Sequence, residues 1–417
     1  MHLFKLFHTL TASAVVLNLI AAVPAASVSA EIISQGFCGE SIEWTLSDDG
    51  MLTLSGSGET YDYLSVSDHP WLTDAESVTA VTIGEGITVL GDYLFAELSA
   101  LRTVDLPDGL TEIGASTFSR CAALGSIALP ETLTTIQEYG FYQSGLTEVF
   151  LPDSLTEIGY EAFGACTQLT GFATTPTNPH YTTADGVLYT ADMQTLVRYP
   201  IGLSEGVYTV PDVISIGAAA FSGTNFTDVT IPGTVREIGA YAFYGCYSLC
   251  SVHFGYGVKS IGNHAFRLCT SLYDVTLPNS LESIGVYAFR DCLSLTVLQL
   301  PFRLCEIYHE SIQTDSLRTV YCFADSYSAY VAGYYGYDLR YLGDMNSDKS
   351  VNTNDAVSIL KLYSQSLLGK PVTDSRVRRM ADLNLSGSVD LLDAVAVLRY
   401  DSYTVLGQTP DWGVILP

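Results

Sequence analysis

Two oxygen-rich loops near the C-terminus carry the residues whose types and spacing are best suited to chemistry. They span residues 344–355 and 382–393, and both place Asp, Asn or Ser at alternate positions before an acidic twelfth residue. A hard cation such as Ca²⁺ takes about six to eight oxygen ligands, and this spacing lets a loop wrap around one ion. We therefore predict two Ca²⁺ ions, held by Asp344, Asn346, Asp348, the carbonyl of Ser350, Asn352 and Asp355, and by Asp382, Asn384, Ser386, Ser388, Asp390 and Asp393.

The two loops differ in detail. Lys349 stands at position 6 of the first loop, where glycine usually makes the turn, so we expect backbone strain there. Ser386 stands at position 5 of the second loop in place of an acid, but Asp390 restores a third carboxylate. The carboxylates of each loop repel one another until a cation neutralises them, so we expect metal binding to be coupled to folding, with unequal affinity at the two sites.

An amphipathic stretch with apolar residues at helical spacing follows each loop. With both loops in tandem, residues 343–406 resemble a type I dockerin. The resemblance implies a calcium-dependent partner, the cohesin domain of a scaffoldin, as in cellulosomes. It also implies cohesin contacts at Thr353, Asn354, Leu360, Lys361 and Gln365 in the first half, and at Leu391, Leu392, Leu398, Arg399 and Tyr403 in the second. Thr353-Asn354 and Leu391-Leu392 differ in polarity, which argues against equivalent docking of the two halves.

Upstream of this module, one pattern recurs at a fixed spacing. The position of Ile284 is also held by Leu90, Ile113, Ile136, Ile158, Ile216, Ile238, Ile261 and Ile307, at steps of 22 or 23 residues except for one step of 58. Each unit combines a short strand, such as residues 272–277, with a glycine turn and a short helical turn that places Phe289 in the core. Such a period predicts a solenoid whose units stack their strands in a parallel ladder about 4.8 Å apart.

The repeated pattern Leu-x-x-Val-x-Leu-Pro, Leu-x-x-Ile-Gly and Ala-Phe-x-x-Cys-x-x-Leu, over residues 78–317, resembles the BspA-like leucine-rich repeat family. The resemblance implies a surface or secreted protein that acts in adhesion or protein binding, and it brings no catalytic residues. Outward strand positions should form the binding face, with Asp105, Phe150, Asp228, His253, Asp274, Gln299 and Tyr321 as candidates. Isolated aromatics on a polar face suit a protein better than a glycan, although a face without any specific ligand stays open.

We therefore predict an α+β protein, a leucine-rich-repeat solenoid with short parallel strands followed by a small all-α two-calcium dockerin. The expected parts are a signal peptide (1–30), an N-terminal β-hairpin cap (31–77), repeats (78–317) with an insertion at about 172–210, a C-terminal cap (318–342), the dockerin (343–406) and a tail (407–417). The insertion is either a binding arm or a packed structural insert. The N-terminal cap should cover the first repeat's apolar edge.

The net charge and the N-terminal residues limit the partners and the location that this protein can have. The 417 residues include 45 acidic and 18 basic residues, a net charge of −27, which argues against nucleic acid as a partner. Lys5, an apolar stretch and Val28-Ser29-Ala30 are typical of a secretory signal, and no later stretch predicts membrane insertion. We expect a secreted, extracellular protein, associated with a cell surface through scaffold docking.

Five of the nine cysteines follow the repeat Phe by three residues, which favours free buried thiols.

No motif in the sequence predicts an enzyme. The chain has neither a Gly-x-Ser-x-Gly elbow nor a His-Glu-x-x-His motif, and no catalytic residue is assigned. The main hypothesis is an exported, non-catalytic binding protein whose dockerin docks onto a cohesin of a cellulosome-type scaffold and whose repeats bind another, unknown protein. The alternatives are a carbohydrate-binding or hydrolytic component of plant polysaccharide degradation, with a glycan ligand, and a cell-surface adhesin.

Overall fold

The computed structural model describes residues 30–203 and 206–416, so the predicted signal peptide lies, except for Ala30, outside the described residues. The strands are β1 (Ile32–Gly39), β2 (Ile42–Ser47), β3 (Met51–Glu59), β4 (Ala80–Ile83), β5 (Gly86–Leu90), β6 (Thr103–Asp105), β7 (Glu112–Ile113), β8 (Thr135–Ile136), β9 (Glu148–Leu151), β10 (Glu157–Ile158), β11 (Gly171–Thr174), β12 (Tyr181–Ala184), β13 (Val187–Thr190), β14 (Thr195–Arg198), β15 (Val207–Thr209), β16 (Ser215–Ile216), β17 (Asp228–Ile231), β18 (Glu237–Ile238), β19 (Ser251–Phe254), β20 (Ser260–Ile261), β21 (Asp274–Thr276), β22 (Ser283–Ile284), β23 (Val297–Gln299), β24 (Glu306–Ile307), β25 (Thr319–Cys322) and β26 (Asp338–Tyr341). The α-helices are α1 (Tyr327–Tyr334), α2 (Thr353–Leu367), α3 (Ser375–Ala381), α4 (Leu391–Val405) and α5 (Trp412–Ile415), and short 3₁₀ helices span Val66–Asp68, Leu72–Ser77, Ile201–Leu203 and His309–Ser311.

An antiparallel sheet closes the N-terminal end of the solenoid. The predicted hairpin is present as β2 and β3, with Trp44 opposite Leu54, and β1 adds a third strand that the sequence did not predict. Trp44 meets Trp71 edge-on at 5.5 Å, and Trp71 stacks on Phe95 at 5.8 Å. These buried rings cover the apolar edge of the first repeat, as expected of a solenoid cap.

Most repeats contribute two short strands rather than the single strand that the sequence predicts, although residues 126–129 of the unit that contains β8 form no strand. The first ladder contains the predicted strands, for example β21 paired in parallel with β23. The second contains two-residue strands such as β22, which pairs in parallel with β20 and β24. Gly285 N donates to the Ile261 carbonyl at 2.7 Å, so the backbone around Ile284 bonds to the preceding unit while the Ile284 side chain is buried.

The predicted short helical turn before the repeat Phe is instead a tight turn with left-handed residues. Tyr287 has φ 59° and Asp291 has φ 61°, and equivalent residues of other repeats share this conformation. Amide groups of this segment bond to the next unit, since Phe266 N donates to the Ala288 carbonyl at 2.8 Å. These donors are therefore not available for helical bonds within the segment. Phe289 is buried in the core, as predicted.

Two columns of buried side chains hold the units together. The rings of Phe243, Phe266 and Phe289 stack nearly parallel at 4.9 and 5.2 Å between centroids. Beside them, the Cys292 thiol donates to the Phe266 carbonyl at 3.1 Å, and Cys121, Cys166, Cys246 and Cys269 donate in the same way to the Phe of the preceding unit. All nine cysteines are free, and burial raises the pKa of Cys292 to about 12. The thiols of this column are buried and act as small donors to the backbone of the preceding unit.

The insertion is a packed hairpin that interrupts both columns. β12, β13 and β14 pair antiparallel, and β14 then continues the second ladder in parallel with β16. The ladder that ends at β10 is separate from the one that contains β14. Two apolar cores meet here: Leu188 packs into the N-terminal core, whereas its neighbours Val187 and Tyr189 pack into the C-terminal one. The insertion is thus a packed structural insert within the solenoid, which is one of the two alternatives that the sequence left open.

The C-terminal cap and a small helical module complete the chain. The predicted closing helix and last strand are present as α1 and β26, and β26 pairs in parallel with β25. Beyond them, α2 and α4 pack against each other, α3 lies between them in sequence, and α5 follows. Within the described residues, no helix combines the length and apolarity needed to span a bilayer.

Candidate functional site

The first oxygen-rich loop is closed by two buried aspartates. The carboxylate of Asp355 accepts hydrogen bonds from Met345 N at 2.9 Å and Asn352 N at 3.0 Å. Asp344 accepts from Lys349 N at 2.8 Å. Asp344 and Asp355 are buried, whereas Asn346, Asp348 and Ser350 are exposed and Asn352 is half-buried. The loop therefore folds around its first and twelfth residues, and its last three residues form the first turn of α2.

The second loop repeats this arrangement position by position. Asp393 accepts from Leu383 N at 2.9 Å and from Asp390 N at 2.8 Å, and Asp382 accepts from Gly387 N at 2.9 Å. Asp382 and Asp393 are buried, Asn384 and Asp390 are half-buried, and Ser386 and Ser388 are exposed. Capping boxes formed by Asn352 with Asp355 and by Asp390 with Asp393 begin α2 and α4.

The oxygen donors of both loops suit a hard cation. Each loop offers a mixed set of carboxylate, amide, hydroxyl and carbonyl oxygens, and among the described residues no three His, Cys, Asp or Glu side chains form a metal cluster by themselves. No Lys or Arg in this part of the chain pairs with the four buried aspartates. Burial raises the pKa of Asp355 and Asp382, and raises that of Asp393 to about 7. Buried, unpaired carboxylates fit a bound Ca²⁺.

Position 6 adopts a left-handed backbone in both loops. Lys349 has φ 67° and Gly387 has φ 86°. A residue with a Cβ is disfavoured in this conformation, whereas glycine adopts it freely. The expected strain at Lys349 is therefore present, and it distinguishes the first loop from the second.

The residues that the resemblance assigns to cohesin contact lie on α2 and α4 or their first turns. Leu391, Leu392 and Leu398 are 52 %, 64 % and 40 % exposed, which is high for leucines. Thr353, Asn354, Lys361, Gln365 and Arg399 are exposed, and Leu360 and Tyr403 are half-buried. Thr353 and Arg399 also bond to distant parts of the chain: Thr353 N donates to the Asp401 carboxylate at 3.1 Å, and Arg399 donates to the Ile415 carbonyl at 3.4 Å.

The module containing the two loops packs against the strand face of the last repeats. Arg379 Nη2 donates to both carboxylate oxygens of Asp274, at 2.7 and 2.6 Å, and its guanidinium lies 5.2 Å from the ring centre of Tyr321. The second loop also takes part, because Asn279 donates to the Leu383 carbonyl at 3.3 Å and the Tyr256 hydroxyl donates to the Asn384 carbonyl at 3.1 Å. These contacts fix the module beside β21, β23 and β25.

A shared apolar cluster joins α4, α5 and the C-terminal cap. Trp412 is buried, its indole N–H donates to the Ala324 carbonyl at 2.9 Å, and its ring lies 4.7 Å from Tyr400 and 4.8 Å from Phe323. The Tyr400 hydroxyl donates to the Asp325 carboxylate. The last residues of the chain, which the sequence predicts only as a tail, therefore bind the module to the cap.

This packing divides the predicted repeat face into a covered and an open part. Gln299 and Tyr321 are buried, and Asp274 is held by Arg379, so the chain's own C-terminal module covers this end. Asp105, Phe150 and His253 are exposed, and Asp228 is half-buried and accepts from Ser251. Ligand binding at these four positions stays a prediction.

Sequence reasoning missed Arg379 and Trp412 as residues of the site. The Arg379–Asp274 pair joins residues 105 positions apart, and a local sequence pattern does not predict such a contact. A signal for α5 exists, since Asp411 caps its N-terminus and Trp412 is followed by the apolar Val414, Ile415 and Leu416.

Two families match this chain. The family described as "BspA type Leucine rich repeat region" matches in six copies, over residues 72–180 and 209–329. The family described as "Dockerin type I domain" matches residues 342–400, which contain both loops. Both are typically binding modules without catalysis, a dockerin implies docking to a cohesin and binding of calcium, and leucine-rich repeats indicate protein interaction. No curated protein matches the chain.

Solved structures with a similar fold are bacterial leucine-rich repeat proteins. One from Eubacterium ventriosum is 23% identical, with 68% of this chain and 95% of that chain covered and a TM-score of 0.50. A leucine-rich cell surface protein from Faecalibacterium prausnitzii is 21% identical, with 70% and 96% covered and a TM-score of 0.50. The pneumococcal vaccine antigen PcpA is 16% identical, with 74% and 98% covered and a TM-score of 0.53. At these identities the similarity is one of fold.

Proposed function

Since the chain belongs to the BspA-type leucine-rich repeat family and ends in a type I dockerin domain, we propose that it is an exported, non-catalytic binding protein anchored to a scaffold of the cellulosome type. The dockerin binds a scaffoldin cohesin, which holds the protein outside the cell and at the surface where the scaffold lies. The repeats present a surface to another protein. One observation carries the proposal: two loops with the same hydrogen bonds, each preceding a helix with an exposed side.

We assign one Ca²⁺ to each loop. In the first, Asp344, Asn346, Asp348, Asn352 and Asp355 would hold the ion together with the Ser350 carbonyl. In the second, the corresponding positions are Asp382, Asn384, Ser386, Ser388, Asp390 and Asp393. The bound ions supply positive charge to buried carboxylates that have no Lys or Arg partner in the described structure. Loop closure then positions the first turns of α2 and α4.

We assign the stronger cohesin contact to the second half of the dockerin. Leu391 and Leu392 present two neighbouring exposed leucines at the start of α4, with Leu398 two turns further on. Exposed apolar side chains of this size favour a protein interface. The corresponding positions of the first half are the polar Thr353 and Asn354, and Thr353 is already bonded to Asp401. A cohesin with an apolar patch should therefore choose the α4 end.

The docking test measures binding of the full chain to purified cohesins in Ca²⁺ and after chelation with EGTA. We expect chelation to abolish binding, and L391A/L392A to weaken it at least 10-fold, about 1.4 kcal/mol. T353A/N354A should have a smaller effect. Leu293→Ala is the matched control, because this leucine of the repeats is 63% exposed and lies outside the dockerin. Binding that persists in EGTA, or equal losses in all three variants, would refute the assignment.

For the repeats, we assign protein binding to the open part of the strand face, around Asp105, Phe150, Asp228 and His253. Phe150 is 46% exposed on β9, which makes it the most suitable apolar anchor of this face. A pull-down of secreted proteins with the wild-type chain and with Phe150→Ser tests this role. Recovery of the same partners by both proteins would exclude this face as the binding surface.

A further inference from the structure

A cleft opens on the turn side of the solenoid, away from the strand face, at the place where the insertion joins the repeats. Its volume is about 770 Å³, within the range of about 300–1,000 Å³ common for small-molecule sites. The unit between its two walls has Ala218 and Ala219 where the preceding unit has Tyr160 and Glu161. Because Ala218 and Ala219 have small side chains, this unit leaves an open space between the two neighbouring units, which carry tyrosines at their turns.

Tyrosine rings form the walls of this cleft. Six of them line it: Tyr139, Tyr142, Tyr160, Tyr241, Tyr244 and Tyr247. Tyr160 from one half of the solenoid meets Tyr241 from the other at 5.3 Å between ring centres. Tyr247 is 58% exposed at the rim, and the other five are half-buried. In the described part of the chain, none of the six hydroxyl groups has a hydrogen-bond partner, so the cleft presents both ring surfaces and free hydroxyls.

The floor of the cleft contains an ion pair whose charges compensate each other. Glu161 lines the cleft and lies 3.6 Å from Arg198 of the insertion, with side chains only 6% and 8% exposed. Arg198 also donates to the carbonyls of Ala219 and Phe163. Because Arg198 neutralises Glu161, the floor offers polar atoms without a net charge, and a cationic ligand would gain little there.

We propose that this tyrosine cleft binds a neutral oligosaccharide. The C–H faces of a sugar pack on aromatic rings, while its hydroxyls bond to phenol and carboxylate groups, and both kinds of group line the cleft. An acidic sugar is disfavoured because the chain has a net charge of −27 and the described residues that line the cleft include no Lys or Arg to pair with a carboxylate. Of the seven candidate positions on the strand face, only Phe150 and Tyr321 carry a Phe, Tyr or Trp ring. The cleft is therefore a site separate from the proposed protein-binding face and from cohesin docking.

Titration calorimetry of the full chain in Ca²⁺ tests the assignment with defined probes. Cellohexaose, xylohexaose and mannohexaose represent β-1,4 polysaccharide chains, a high-mannose glycan represents glycoprotein, and oligogalacturonate represents acidic sugars. We expect at least one neutral probe to bind and oligogalacturonate to bind at least 10-fold more weakly. Binding of only the high-mannose glycan would support the site and identify glycoproteins as its source of ligand.

Two variants place the bound sugar in the cleft. Tyr247→Ala removes the exposed rim ring and should weaken binding about 10-fold, and Tyr160→Phe removes only one hydroxyl and should weaken it about 3- to 5-fold without changing the melting temperature. Tyr273→Ala is the control, because this tyrosine is 54% exposed and does not line the cleft. All variants should bind cohesin as the wild type does. Absence of binding by every neutral probe, unchanged affinity in both cleft variants, or binding of a proline-rich peptide instead would overturn the proposal.

Discussion

The ion pair between Arg379 and Asp274 should measurably couple the dockerin to the repeats. Arg379 donates two hydrogen bonds to the Asp274 carboxylate, at 2.7 and 2.6 Å, and the side chains are 15% and 34% exposed. Neutralising both partners tests whether the dockerin is fixed in place or merely connected by the chain. The double-mutant cycle consists of Arg379→Ala, Asp274→Ala and the double variant.

The expected size follows from the geometry of the pair. Fully exposed pairs contribute about 0.2–1 kcal/mol, and hydrogen bonds to charged groups contribute about 1.5–3 kcal/mol. Because Arg379 is mostly buried and Asp274 is about one-third exposed, we expect a coupling energy of about 1–2 kcal/mol. Arg379→Ala alone should cost about 0.5–1 kcal/mol more than this coupling, since it also removes the contact with the Tyr321 ring.

Hydrogen exchange of α2 and α4 during denaturant unfolding, in saturating Ca²⁺, reports the stability of the dockerin alone. The coupling energy should fall when salt is raised from about 0.1 to 1 M, because the Debye length shortens from about 10 to 3 Å. The exposed pair of Arg120 and Glu97, far away on the repeats, is the matched control and should leave the dockerin unaffected. A coupling energy below about 0.3 kcal/mol would refute the view that this pair holds the two domains together.

Three further predictions concern single side chains. Trp412→Ala should destabilise the dockerin by about 3–5 kcal/mol in thermal unfolding with Ca²⁺, and an unchanged midpoint would contradict the role of the tail. Lys349→Gly should strengthen Ca²⁺ binding at the first loop by about 1 kcal/mol, and Gly387→Ala should weaken it at the second, because both positions have positive φ. A Ca²⁺ titration measures both affinities. Affinities equal to those of the wild type would exclude backbone strain as their cause. Phe266→Ala should cost the repeats about 3–5 kcal/mol in denaturant unfolding, against less than about 0.5 for the exposed Tyr273→Ala, and similar losses would disprove the stacked column.

The repeats could be predicted from the sequence because each unit has the same residue types at the same positions. The Phe, Cys and Ile positions recur at one period, and a buried column needs that regularity. The second ladder could not be predicted, because strands of two residues such as β22 are too short to show an alternating pattern. The turn before each Phe was expected to be helical, since its composition allows a helix, and the hydrogen bonds that decide the matter lie in the next unit.

The two oxygen-rich loops could be recognised because all their ligand candidates lie within twelve residues of one another, and calcium binding by them stays a prediction. The docked position of the dockerin could not, because it rests on single contacts between distant segments, such as Tyr256 with Asn384. The tyrosine cleft was also missed. Its tyrosines come from several units, and only the fold brings Tyr160 and Tyr241 together across a unit with small side chains.

The hairpin of the insertion has a consequence for how the solenoid folds. Repeat arrays gain cooperativity from the interfaces between neighbours, and one weak interface lets the two sides melt separately. Here β13 places Leu188 in one core and Val187 and Tyr189 in the other. A single strand thus belongs to both halves, so neither half can lose its packing at this joint without disturbing the other. The insertion therefore couples the two shorter arrays of repeats, so that they unfold in one cooperative transition.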